Sequence, residues 1–181
     1  MHLLGNLMAM LSKSKILAYL QCPKRLWLEV HQPESRADSS ATTASFATGH
    51  AVGDASRTVY DLNRTGIFLD IKALGLKGLI AATQTALTER KTIFEAGFQA
   101  NGTLSLADIL IPVEDASGPA WRMVEVKSST GVKEYHVKDL AVQTAVATQA
   151  GVRLTKVSVA HVDNTWTYPG SQDYSGLLKE V

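Results

Sequence analysis

A single cysteine, Cys22, stands in 181 residues. That excludes an internal disulfide and fits a reducing compartment. Net charge is nearly absent too: +1 at neutral pH gives no general pull towards nucleic acid or an anionic membrane. Binding to either must therefore rest on local charge. No apolar run is long enough to span a bilayer. The apolar opening, residues 1–11, lacks a basic leader and is interrupted by Lys13 and Lys15, so no secretory signal is read there. The expected location is cytoplasmic. Internal repeats and low-complexity tracts are lacking as well. What remains suits one globular domain spanning 1–181, long enough for one core and short for two.

Charge is distributed unevenly. Residues 1–31 carry a net +3 and residues 91–130 a net −2. A basic flank beside an acidic centre suits a metal-dependent phosphodiesterase, although ordinary surface variation produces the same pattern.

Periodicity and breakers divide the chain into elements. Ser12 is a candidate cap for a helix over 13–20, and Pro23 sits at the first turn of a second helix through Val30. Lys24 and Arg25 at that joint are candidate phosphate contacts or plain solvated charges. A polar loop is expected over 32–43, a helix over 44–60, and loop with a short strand over 61–71. An amphipathic helix follows over 76–90. A meander comes next: strand 92–100, an Asn101-Gly102 hairpin turn, strand 103–111 ended by Pro112, a polar turn at 114–119, and strand 120–127. Helix 135–150, stopped by Gly151, leads to strand 154–162, parallel to a neighbour because a helix connects them. An irregular tail is expected from Asp163. These elements predict an α/β (α+β) fold, a mixed central sheet of about four core strands flanked by helices. Residues 12–60 would form a helical part and 91–162 the core.

Within that core, alternation places Trp121, Met123, Glu125 and Lys127 on one strand face. Asp108 lies in a similar strand, on the face of Leu104, Leu106 and Leu110. If the strands pair, an Asp, a Glu and a Lys converge. Carboxylates on apolar strands are costly unless paired, hydrated or metal-bound. In the following helix Asp139 and Gln143 are spaced i, i+4 and share a face. Without metal, Glu125 and Lys127 would be no more than an ion pair of little worth if exposed.

Asp108 followed by Glu125-Val126-Lys127 resembles the D…ExK core of the PD-(D/E)xK nuclease superfamily. Glu95 before it, Tyr135, Asp139 and Gln143 after it, and Tyr19-Leu-Gln-Cys-Pro-Lys-Arg-Leu-Trp-Leu28 together resemble the RecB-like branch, over about 12–162. The resemblance implies a restriction-endonuclease-like fold and Mg- or Mn-dependent hydrolysis of DNA. Asp108, Glu125 and the Val126 carbonyl would be metal ligands. Lys127 would orient or deprotonate the attacking water or neutralise developing charge. Gln143 would lie over the site, Glu95 would assist a second metal or hold Lys127, and Tyr135 would support. Relatives commonly carry a metal-binding His at the place of Gly53; His50 is the candidate replacement. A Tyr common one turn after the Gln is Ala147 here. Cys22 matches the first ligand of an iron–sulfur cluster in some members, but the other three cysteines are missing. No cluster is expected, and Cys22 is read as a small buried residue. The alternatives are a non-cleaving module that binds nucleic acid or protein, and the nuclease part of a larger helicase–nuclease complex.

Overall fold

The computed structural model describes residues 11–36 and 40–181. The apolar opening before Leu11 and part of the predicted 32–43 loop lie outside the described residues. Strand β1 (Leu11–Ser12) runs directly into the helical hairpin α1 (Lys13–Gln21) and α2 (Pro23–His31). The Ser12 hydroxyl accepts from the Lys15 amide and caps α1, while Pro23 at the start of α2 gives up an N–H that would have no helical partner anyway. A 3-10 turn over Pro33–Ser35 precedes α3 (Ser40–Tyr60), which begins four residues earlier than periodicity predicts. After β2 (Ile67–Phe68), α4 (Ile71–Glu89) is capped by the Asp70 carboxylate on the Lys72 amide. Gly75, at φ 64°, breaks α4, so the regular helix resumes where the predicted one begins.

The meander then follows as β3 (Ile93–Ala100), β4 (Thr103–Asp115) and β5 (Gly118–Lys127), and α5 (Glu134–Gln149) crosses to β6 (Leu154–Val162). Asn101 and Gly102 both have positive φ, the geometry that a two-residue hairpin turn needs. Two expectations are corrected. Pro112 does not end its strand: it pairs with Trp121 and lies beyond Leu110, the last β4 residue that β3 pairs with, so its missing N–H can face an open edge. The tail is not wholly irregular either, because β7 (Leu178–Glu180) adds antiparallel to β6.

Among the described residues the strands form one curled mixed sheet, ordered β2-β3-β4-β5-β6-β7, with β1 parallel to β4. Both β3–β4 and β4–β5 are antiparallel, and β6 is parallel to β5 as the helical crossover requires. The four long strands are the expected core strands. One sheet face packs Ile93, Ala96, Phe98, Leu110, Met123 and Val159 against Leu79 and Ala86 of α4 and Leu140, Val146 and Ala147 of α5. The other face buries Phe94, Ile109, Val124 and Ala160, with Tyr60 from α3 against them. Gly97 lets Leu79 sit directly on β3: a Cβ there would lie 2.6 Å from the Leu79 Cδ2. No described helix is long and apolar enough to cross a membrane.

Candidate functional site

Continuing the ladder registers by one step puts Glu95 of β3 opposite Asp108 of β4, and Asp108 opposite Glu125 of β5. Three acids thus form one row across three neighbouring strands. The even alternation expected around Asp108 is broken at this row. Ile93 and Ala96 on β3, and Ala107 and Leu110 on β4, are three apart yet belong to the same core. Glu95 itself has φ 60°, a left-handed conformation that costs a non-glycine residue about 1–2 kcal/mol. Strain of this kind is retained where the surrounding structure over-determines it, often at functional sites.

Glu125 follows Trp121 and Met123 on the face under α5 and is buried. Its Oε1 meets two ammonium groups, Lys127 Nζ at 2.6 Å and Lys13 Nζ at 3.3 Å. Its Oε2 accepts from the amide of the buried Gln143. Both lysines also reach Asp139: Lys13 lies 2.8 Å from Oδ1 and Lys127 donates to Oδ2. Asp108 is held differently, through the Val126 amide donating to its Oδ2 at 2.7 Å. The Glu95 carboxylate has no hydrogen bond or ion pair among the described residues. The Gln143 Oε1 is likewise buried without a partner.

Charges follow from these contacts. Burial, then the Glu125 charge, push the Asp108 carboxyl well above its usual range, and Lys13 offsets this only in part. Glu95 is raised for the same two reasons, against weaker relief from Arg57, Lys13 and His50. Burial also raises Asp139, but the two lysines outweigh it and hold it below its usual value. For Lys127 burial pulls downward and is overcome by Glu125 and Asp139, so its ammonium is held more firmly than usual.

Glu95, Asp108, Glu125, Val126 and Lys127 line a polar pocket of about 260 Å³, closed by Gly49, His50, Gly53, Asp54, Ser56 and Arg57 from α3. His50 is exposed at its rim. A Cβ on Gly53 would meet nothing within 4 Å, so the space for a side chain there is open. The sequence-predicted residues Asp108, Glu125, Val126, Lys127, Gln143, Glu95 and His50 therefore come together. Lys127 is held by Glu125 and Asp139, not by Glu95.

Tyr135, Lys24 and Arg25 do not join them. Tyr135 is exposed at the start of α5, edge-on to His136, and shares an apolar groove of about 560 Å³ with Leu17, Leu20, Arg25 and Lys138. Arg25 is paired with Glu29 at 2.8 Å, and Lys24 is exposed on α2. Cys22, expected to be buried, is exposed, because it forms the extended joint between α1 and α2. Ala147 is fully buried in the core. Lys13 is the residue that the motif reading missed. It registers in the sequence only as part of a basic flank, and β1 pairing with β4 is what brings it to Glu125. Asp139 had a signal in its spacing to Gln143.

Among the described residues no three His, Cys, Asp or Glu side chains are already gathered as a metal cage. Glu125 is turned to its lysines and Gln143, and Asp108 to a backbone amide. Among the described residues four carboxylates nevertheless share two close ammonium groups, and one acid and one buried amide oxygen have no hydrogen-bond partner. An excess of hard oxygen acceptors in a polar pocket is a donor set that fits a divalent cation. No protein-family model matches the chain, and no curated protein matches it.

Proposed function

We propose that the chain is a divalent-metal-dependent nuclease of the PD-(D/E)xK superfamily, RecB-like branch, with a restriction-endonuclease-like fold, acting on DNA. The observation that carries this reading is the row Glu95–Asp108–Glu125 lining one polar pocket, with Lys127 and Gln143 closing on Glu125. Asp108, Glu125 and the Val126 carbonyl would hold Mg²⁺ or Mn²⁺, with His50 available from α3. Bound there, the ion would supply an activated water and charge relief at the phosphoryl oxygens. Lys127, kept protonated by Glu125 and Asp139, serves as a cationic donor to the scissile phosphate or the attacking water rather than as a base. Gln143 fixes the Glu125 carboxylate from behind. Mn²⁺ is favoured over Mg²⁺ because the Gly53 place lacks its His, and Mn²⁺ tolerates an imperfect N/O site better.

The test is calorimetric Mn²⁺ binding together with cleavage of single- and double-stranded DNA. Asp108→Ala and Glu125→Ala should lose both, whereas Lys127→Met should still bind Mn²⁺ but not cut. A folded wild-type chain that binds no Mn²⁺ at millimolar concentration and cuts no DNA would leave the binding-module reading in its place.

A further inference from the structure

We propose that Lys13 is a built-in counter-ion of the acidic row, a positioning residue, anchored on Asp139, whose ammonium neutralises Glu125 until a divalent cation takes over that charge. The inference rests on the metal-site reading above and deepens it. Its basis is geometric. Lys13 is the first residue of α1, and its backbone is fixed because the two preceding residues pair with Thr103 and Leu104 of β4, the strand that carries Asp108. From there its side chain reaches across to Glu125 on β5 and Asp139 on α5. One ammonium thus ties two acid-bearing elements, β5 and α5, from a backbone anchored on a third, β4.

Lys13 and Lys127 share the same two carboxylates, yet they are not equivalent. Lys127 makes the shorter contact with Glu125 Oε1 and donates to Asp139 with hydrogen-bond geometry. Lys13 lies at 3.3 Å from Oε1 and at 2.8 Å from Asp139 Oδ1, both longer than the corresponding Lys127 contacts. The Lys13 contacts are thus the longer of the two sets. Its charge is also felt by Asp108 and Glu95, as well as by Glu125 and Asp139. A cation placed between Asp108 and Glu125 would repel Lys13 while satisfying Glu125, the acid that the two share. The lysine and the ion are therefore competitors for one charge. Lys13 also forms no part of the pocket wall, so removing its charge leaves the donor set facing the pocket unchanged.

The experiment compares wild type, Lys13→Met and Lys13→Arg by calorimetric Mn²⁺ titration, with melting curves in EDTA and in Mn²⁺. Lys13→Met should bind Mn²⁺ at least fivefold more tightly than wild type, melt lower in EDTA, and gain more from Mn²⁺. Lys13→Arg, which keeps the charge, should stay within about twofold of wild-type affinity. Equal or weaker Mn²⁺ binding by Lys13→Met, beside wild-type binding, would overturn the counter-ion role and leave the metal site standing. If wild type itself binds no Mn²⁺, the metal site falls and the counter-ion role with it. Should Lys13→Met be unfolded in EDTA, Mn²⁺-driven recovery of its circular dichroism would support the proposal, and no recovery would overturn it.

Discussion

Replacing Asp108 with Asn should stabilise the metal-free protein while destroying its use of a metal. The change keeps the shape of the side chain and an oxygen able to accept from the Val126 amide at 2.7 Å, so the link between β4 and β5 survives. It removes one charge from a row in which Asp108 faces Glu95 on one side and Glu125 on the other. Directly opposed side chains on neighbouring strands have Cβ atoms roughly 4.5–5.5 Å apart. At an effective dielectric constant of about 20, two like charges at that separation repel by about 3 kcal/mol. The attraction of Lys13 offsets part of this. A net gain of about 1–2 kcal/mol corresponds to a rise of about 2–6 °C in melting temperature for a chain of this size. The sign of the pH dependence follows. Asp108 and Glu95 bind protons more tightly folded than unfolded, so wild-type stability in EDTA should rise as pH falls from neutrality through their raised values. It should drop again once Asp139 and Glu180, both held below their usual values, take up protons. Asp108→Asn should flatten the first rise. Thermal melts from pH 4 to 8 in EDTA, repeated with Mn²⁺, read all of this. A variant less stable than wild type in EDTA would refute the repulsive row.

Gly53→His should put an imidazole into the open space beside the pocket and strengthen Mn²⁺ binding by roughly tenfold, about 1.4 kcal/mol. Because Gly is a poor helix former, the change should also stabilise α3 by a few tenths of a kcal/mol; calorimetry and melting check both. Gln143→Leu removes the donor to Glu125 Oε2 in a fully buried position. It should cost about 1–3 kcal/mol in a urea titration, because an acceptor is left dry, and should lower the cleavage rate with little change in DNA affinity.

Much of the acidic row was legible in one dimension because strand alternation is a local rule. Period two placed Glu125 with Met123 and Trp121, and the short turn at 114–119 implied that the strand of Asp108 lies beside it. The helix between β5 and β6 required their parallel pairing, and the i, i+4 spacing of Asp139 and Gln143 set them on one face of α5. Long-range contacts were not legible. Nothing local separates Lys13 from Lys15 or Lys24, since all three are lysines on a basic helical flank; only the pairing of β1 with β4 selects Lys13. The left-handed backbone at Glu95 and the broken alternation at Asp108 depend on how three strands twist together, and no periodicity records that. Pro112 reads as a stop until the end of β3 frees its edge. Sequence by itself therefore determined which residues are acidic, which strands carry them and which faces are apolar. Tertiary structure alone decided which two ammonium groups close on those acids, because side chains that are 112 residues apart meet only once the sheet has formed.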